Sequence, residues 1–427
     1  MKKTIPLLLL LLFIFAASSP TTGQLLNGRL IGSVYTFEKF DTVNVSRTYA
    51  RGFQSALFDL TYSDFSVHTH FQIAGMLQKK LDEIPDYRFY YVYAQYRNIF
   101  NVADVSVGRM PYFAGVGSGT IDGGRLVLRF DENKYKFTAY GGQTTPVEFE
   151  MKGWKKLKNN FTLGGQFLVN AIENTRVGIS YVNRHRERTG YWTSRIDSLL
   201  NPVLLYISPA LEKEQLVSGD VQYRFGQSSA YGRYDYDVDG KKTQRAQLSL
   251  RLGVCDDLSI SGDFIHREPR VMLNSFFSLF DLKTVNEYEL GADYILFPDV
   301  RAFARGAFVK YSGDEGFRYT FGLAHRYVSF SYRGSSGYAG ELDNASIQAT
   351  YPLFDNLLIP SLGFGYMTYK LDDGARRDEG IAATLGATVR PMSQLSFDVQ
   401  GQWLRNKVVQ NDVRLFGKVN FWFTTQL

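Results

Sequence analysis

Cysteine is almost missing from this chain. Cys255 is the single one in 427 residues, so there is no internal disulfide and no Cys-x-x-Cys-His run for covalent haem, and no haem or other cofactor is expected. After residue 24 no apolar run reaches the ~18 residues that mark a membrane-crossing helix. No amphipathic helix is long enough to roof a sheet. A charge excess of one sign is lacking too: 48 basic residues face 42 acidic ones, a net charge of +6. That balance excludes the strongly basic field of a nucleic-acid-binding protein.

Aromatic residues and glycine, by contrast, are plentiful, at 15% of the chain and 39 glycines. The amino end reads as a secretory signal over residues 1–24: Lys2 and Lys3 form the positive end, Leu7 to Ala17 the apolar run, and Thr21 and Gly23 the small residues ahead of Gln24. Its removal takes two lysines and no acids from the net charge of +6, leaving a weak +4. Residues 25–427 then form one domain.

The carboxy-terminal stretch 411–427 carries the clearest pattern. Val413, Leu415, Gly417, Val419, Phe421, Phe423, Thr425 and Leu427 make a mostly apolar face. Asp412, Arg414, Phe416, Lys418, Asn420, Trp422, Thr424 and Gln426 make the other. A period of two is a strand. With no helix to cover it, the apolar face is assigned to lipid. In hydrocarbon every backbone polar group must be paired, which leaves a closed barrel for strands that alternate apolar and polar.

The same rhythm recurs along the chain, in 244–253, 286–296 and 381–390 among others, and gives strands near 27–38, 50–62, 65–77, 87–99, 102–109, 121–131, 134–142, 161–170, 174–184, 215–225 and 229–237. Further strands fall near 244–253, 258–267, 285–295, 300–311, 316–324, 326–333, 342–351, 360–370, 378–390, 395–405 and 411–427. Short connections such as Ser63-Asp64 and Pro298-Asp299 alternate with long ones such as 143–160, 185–214 and 268–284. The exception is Pro352 to Ile359, a long connection on the side of the short turns. The expected fold is all-β: a single transmembrane antiparallel up-and-down barrel of about 22 strands (18–22), both termini on one side.

In this whole-chain pattern of signal, dyad strands, alternating loop lengths and amphipathic last strand, the sequence resembles the outer-membrane porins and related channel barrels of Gram-negative bacteria. The last residue, Leu427, departs from the terminal aromatic common in that family, although Phe421 and Phe423 keep the phase. Val107-Gly108-Arg109 to Thr120-Ile121-Asp122-Gly123-Gly124 is similar to strand–loop–strand segments of substrate-selective porins. The resemblance implies an integral place in the bacterial outer membrane, contact with the lipid bilayer and lipopolysaccharide, and diffusion of small polar solutes or ions. It implies no enzyme activity. The alternative is a sheath that holds a periplasmic partner such as a multihaem cytochrome.

The inward faces supply the candidate pore lining. Its cations are Arg224, Arg233, Arg251, Arg301, Arg305, Arg318, Arg333, Arg390, Arg414 and Lys418. Its anions are Asp220, Asp235, Asp237, Asp263, Glu287, Glu289, Asp293, Asp398 and Asp412. Such near balance points to pairing between neighbouring strands, with Arg301 and Arg305 beside Glu287, Glu289 and Asp293; the other reading is a transverse field across a constriction. Three loop segments are candidate fillers of so wide a barrel. The first is 110–120, with Gly115, Gly117 and Gly119, flanked by Arg109 and Asp122 and containing Tyr112; it is read either as an inward fold or as a surface loop. The second is 268–284, where Met272, Phe276, Leu279 and Phe280 make a helical stripe. The third is 185–214, in which Arg186 and Arg188 precede Tyr191-Trp192, either facing lipopolysaccharide phosphates or acting as a docking or occluding segment; with 143–160 it is also the surface that an adhesin or receptor would use. His68 and His70 share a strand face without an obvious third metal ligand. Ser66 beside His68 is a pairing that any such chain carries by chance.

Overall fold

The computed structural model describes residues 24–42, 45–77, 87–147, 149–150, 156–187, 190–196, 202–207, 211–269, 284–311, 313–337, 340–370, 374–407 and 409–426. Residues 1–23, which contain nearly all of the expected signal, lie outside that range, as does the helical stripe with Met272, Phe276 and Phe280.

The described residues are almost all strand, apart from turns and a 3-10 turn at Leu157–Asn159: β1 (Gln24–Thr42), β2 (Val45–Tyr62), β3 (Phe65–Met76), β4 (Tyr87–Ile99), β5 (Ala103–Ala114), β6 (Gly117–Phe130), β7 (Tyr135–Thr144), β8 (Phe161–Val169) and β9 (Thr175–Glu187). A short hairpin, β10 (Tyr191–Ile196) with β11 (Pro202–Ile207), interrupts the wall. The wall resumes with β12 (Leu211–Phe225), β13 (Ser228–Asp237), β14 (Lys242–Cys255), β15 (Leu258–Arg267), β16 (Val285–Phe297), β17 (Val300–Tyr311), β18 (Asp314–His325) and β19 (Val328–Gly337). It ends with β20 (Glu341–Thr350), β21 (Leu358–Lys370), β22 (Asp378–Met392), β23 (Leu395–Asn406) and β24 (Asp412–Gln426).

Twenty-two of these strands form one antiparallel sheet, and β9 passes directly to β12. Pairing of β1 with β24, from Leu25 opposite Gln426 to Tyr35 opposite Phe416, closes the sheet on itself. Closure removes every edge and satisfies the backbone without solvent, the condition for crossing a bilayer with strands. The expected count of 22 holds. Residues 352–357 form a turn held by the Leu353–Leu358 bridge, so no strand is split there.

The two faces follow the alternation. On β24, Val413, Leu415 and Val419 are exposed, whereas Asp412 and Asn420 are only 3% and 2% exposed. Side chains converge on the concave side of a barrel and crowd one another, so the crowded polar face is the lumen and the open apolar face meets lipid. At the end with the short turns the outer face carries Tyr62, Phe65, Tyr96, Phe100, Phe130 and Tyr351, all exposed, as an aromatic girdle does. Among the described residues no helix is long and apolar enough to cross a membrane.

Two expected loops are strand instead. The 110–120 segment continues β5 and β6 through a tight turn at 115–116, and 185–214 contains the β10–β11 hairpin. Glycines at 115, 117 and 119 hid the first, although Met110, Tyr112 and Ala114 alternate with Arg109, Pro111 and Phe113.

Candidate functional site: the lumen and its inward hairpin

The β5–β6 hairpin leaves the wall. Its lower part is paired on both sides, but β4 pairs with β5 only as far as Val92 opposite Arg109, and β6 pairs with β7 only from Ile121 opposite Thr144. Residues 111–120 therefore have ladder partners only in each other. Pro111, which has no N–H for a ladder, is tolerated because one edge of this segment carries no neighbour. Gly108 marks the departure, with φ +131°; a Cβ there would strike the Val92 carbonyl. Gly123 and Gly142 face each other with no room for a Cβ on either, which lets the β6 and β7 backbones close up where the hairpin folds over.

The hairpin folds inward onto β7, β8 and β9. The Tyr112 ring stacks on Tyr140 with centroids 4.2 Å apart and planes at 23°. Met110, Tyr112, Ala114, Ile121 and Tyr140 form a cluster exposed by 2% or less. Each large side chain buried there contributes roughly 1.5–3 kcal/mol. Three polar contacts hold the tip: Val116 N–H donates to Ser180 Oγ (2.9 Å), and Arg184 donates to Tyr112 Oη (2.9 Å) and to the Ser118 carbonyl (2.6 Å). A second layer of strand inside the first narrows the lumen by about 10 Å on that side, the spacing of stacked sheets. Phe113, Gly115 and Ser118 then face Gln166, Arg176, Asp220 and Arg233 across a cavity of about 320 Å³.

The gap left in the wall is closed from outside the ladder. Residues 145–147 and 149–150 lie across it, with Phe89 N–H donating to the Phe149 carbonyl (2.9 Å) and Thr145 N–H to the Thr120 carbonyl (3.4 Å). Arg109, 5% exposed, is the bolt. It donates twice to Asp122 (2.6 and 2.8 Å) and also to the carbonyls of Phe89, Phe149 and Glu150. Of the constriction residues expected from sequence, Arg109 and Asp122 are thus brought together at the hinge, and Tyr112 anchors the hairpin that springs from it.

Residues directly opposed in the ladder share a face, so the register carries the lumen assignment round the wall. It turns inward Asp220 and Arg224 on β12, Arg233 and Asp235 on β13, Arg251 on β14 and Asp263 on β15. The same holds for Glu287, Glu289 and Asp293 on β16, Arg301 and Arg305 on β17, Arg318 on β18 and Arg333 on β19. Arg390, Asp398, Arg414 and Lys418 follow on β22, β23 and β24. About half of these groups are ion-paired. Asp293 meets Arg305 (3.3 Å) and Arg301 (3.7 Å), Arg318 meets both Glu289 (2.9 Å) and Glu287, and Arg414 meets Asp412 (2.6 Å). Among the charged groups of the first nine strands, Arg29, Asp59, Arg125, the Arg129–Asp104 pair, Arg176 and Arg184, which meets Glu214 of β12 (3.4 Å), obey the same parity, whereas Arg109 and Asp122 at the hinge fall on the opposite one.

On β3, Ser66 Oγ lies 2.9 Å from His68 Nε2, and His68 Nδ1 lies 2.5 Å from Asp59 Oδ1. The order is that of a hydrolytic triad. Ser66, however, is 3% exposed and sits within a ladder paired on both sides, so neighbouring N–H groups are spent on the sheet and an oxyanion would find no donors. The trio instead holds the imidazole against Tyr93 (4.8 Å). Among the described residues no group of three or more His, Cys, Asp or Glu is placed to hold a metal.

No family model and no curated protein matches the chain. Solved structures do, over nearly its full length. They include the translocation pore of the P pilus usher PapC, with TM-score 0.48, 8% identity, and 93% of this chain and 99% of that chain covered. OccAB4 of Acinetobacter baumannii matches with TM-score 0.45, 10% identity and coverage of 95% and 99%; a BenF-like porin from Pseudomonas fluorescens Pf-5 matches with 0.44, 8%, 95% and 100%. The assignment itself rests on the closed ladder, the lipid-facing apolar band and the girdle. The chain is an integral outer-membrane β-barrel.

Proposed function

We propose that this barrel is a channel for diffusion of small polar solutes or ions, with the β5–β6 hairpin setting its constriction. The observation that carries the reading is the hairpin's departure from the wall and its anchorage inside by Tyr112, Tyr140 and Arg184. A barrel of ~22 strands is too wide to discriminate small solutes unless something occupies it. Here a piece of its own wall does so. The lining of paired charges keeps the lumen wet without a strong net field.

The alternative, a sheath around a periplasmic partner, asks the lumen to admit another protein, and the hairpin takes part of that space. Planar-bilayer recording tests the reading. Wild-type barrels are expected to give stable ionic currents, and replacing residues 111–119 by a short glycine turn is expected to raise the single-channel conductance. A folded barrel that never conducts, or whose conductance ignores the replacement, would remove the proposal.

A further inference from the structure

One arc of the lumen is lined differently from the rest. Inner side chains have no lipid to face, so a girdle role does not explain aromatic rings there, yet the inner face of β24, β1, β2, β3 and β4 is crowded with them. From the loop end downward, Tyr35 and Phe37 lie with centroids 5.7 Å apart and planes at 14°, and Tyr49 continues the series at 5.8 Å. Lower down, His70 stacks on Tyr90 at 4.5 Å. The ladder puts Trp422, Arg29, Leu57, His70 and Tyr91 in one row across the five strands. The Arg–carboxylate pairs lie mostly on the arc from β12 to β18; on the aromatic arc Arg414 pairs with Asp412 on β24 and Asp59 meets His68.

Between the rings sit neutral hydrogen-bonding groups. Tyr90 donates to Gln72 (3.1 Å), and Gln72 donates to Ser55 (3.1 Å). Arg29 lies over Trp422 (5.1 Å) and donates to the Asn420 amide (2.8 Å) rather than to a carboxylate; its Nε is buried with no hydrogen-bond partner. Flat apolar faces with amide, hydroxyl and guanidinium donors between them suit one solute chemistry: a ring with C–H faces and a rim of hydroxyls. Each apolar face turned to an aromatic ring leaves water, and each hydroxyl exchanges water for a side chain already in place. A small inorganic ion would use none of the rings.

We infer that this arc is a saccharide-binding track running from the loop end of the lumen to the level of the β5–β6 hairpin. The inference rests on the channel reading for its role in passage but not for binding. Two measurements keep them apart: ionic current through single channels with maltotriose added on the loop side, and calorimetric titration of the detergent-solubilised barrel with maltotriose. The expected result is brief current interruptions whose frequency rises with maltotriose, together with binding in detergent. A Trp422→Ala, Tyr35→Ala variant is expected to weaken both at least tenfold, while Arg318→Gln on the opposite arc leaves maltotriose affinity unchanged. Retention of the heat-modifiable folded form on gels shows that the variant is assembled. Binding without current would sustain the track and remove the channel reading. Steady current with neither interruptions nor binding would overturn the track alone, as would block by benzoate in place of maltotriose, which would assign the rings to aryl anions.

Discussion

Arg109 and Asp122 stand opposite each other on β5 and β6 at the last rung before the hairpin leaves the wall, joined by two hydrogen bonds of 2.6 and 2.8 Å. The same guanidinium reaches three carbonyls on either side of the gap that the hairpin opens. One side chain therefore fastens the inward fold and seals the wall behind it. Replacing Arg109 by Met takes the guanidinium from the Asp122 carboxylate and one donor from each of those carbonyls, although Phe89 N–H still reaches the Phe149 carbonyl and Thr145 Oγ1 still reaches Asp122 (3.4 Å). The cost of breaking a buried pair is about 3 kcal/mol, at the low end of its range because Asp122 is 22% exposed. The expected phenotype is a noisy channel with a larger mean conductance. Quiet currents of wild-type size in Arg109→Met would show that the hairpin holds its place without this residue.

Gly108 gives a second handle on the same hinge. Its φ of +131° is strained for any residue with a Cβ, and the added atom would collide with the Val92 carbonyl. Gly108→Ala is expected to cost roughly 1–3 kcal/mol from backbone strain alone. Gly32→Ala, with open space around its Cβ, serves as the control. Urea titration read by gel mobility of unheated samples compares the two. Equal midpoints would mean that the kink at Gly108 is not a constraint on the fold.

Much of this architecture is legible in the residues, because a period of two states which face is wet and closure follows from the lack of any helix. The twenty-two strands, the inward charges from Asp220 to Lys418 and the salt bridges of Asp293 with Arg301 and Arg305 all belong to that level. The inward hairpin does not. Gly115, Gly117 and Gly119 have no side chains to show an alternation, and the contacts of Arg109 with Phe149 and Glu150 join residues about forty positions apart. The alternation of Met110, Tyr112 and Ala114 was the available signal, and it shows a strand without saying that the strand leaves the sheet. The aromatic arc depends on β24 meeting β1, a closure that puts Trp422 beside Arg29 across nearly the whole chain.

The tip of the hairpin is held chiefly by Arg184, which reaches Tyr112 Oη and the Ser118 carbonyl while its other nitrogen lies 3.4 Å from Glu214. Hydrogen bonds from a charged donor are worth about 1.5–3 kcal/mol each. Arg184→Met should free the tip without disturbing the hinge. The expected signature is rapid switching between two conductance levels, the upper one matching the hairpin-shortened barrel. A single unchanged level would place the anchorage in the Tyr112–Tyr140 stack and the Val116–Ser180 hydrogen bond.

Charge balance on the opposite arc predicts ion selectivity. Arg318 neutralises both Glu287 and Glu289, and no other cation is paired with either among the described residues. Arg318→Gln uncovers two carboxylates on the lumen face, so the reversal potential in a potassium chloride gradient should move toward cation preference. The shift should shrink at high salt, where the screening length falls to ~3 Å at 1 M. A shift toward anions, or none at low salt, would mean that these carboxylates do not face the conduction path.

Neighbouring residues on β24 offer a test of the two faces themselves. Val419 points to lipid and Lys418 to the lumen, one residue apart near the middle of the strand, where Lys418 stands opposite Asp398. An arginine on the lipid face near the bilayer midplane costs about 2–4 kcal/mol, whereas a lumen substitution meets water and costs about 0.5 kcal/mol or less. Val419→Arg should therefore lower the urea midpoint of the reconstituted barrel markedly, while Lys418→Gln should leave it near wild type and instead change the current. Were the two to exchange roles, with Lys418→Gln unfolding the barrel and Val419→Arg altering only conduction, the wall would have to be turned inside out.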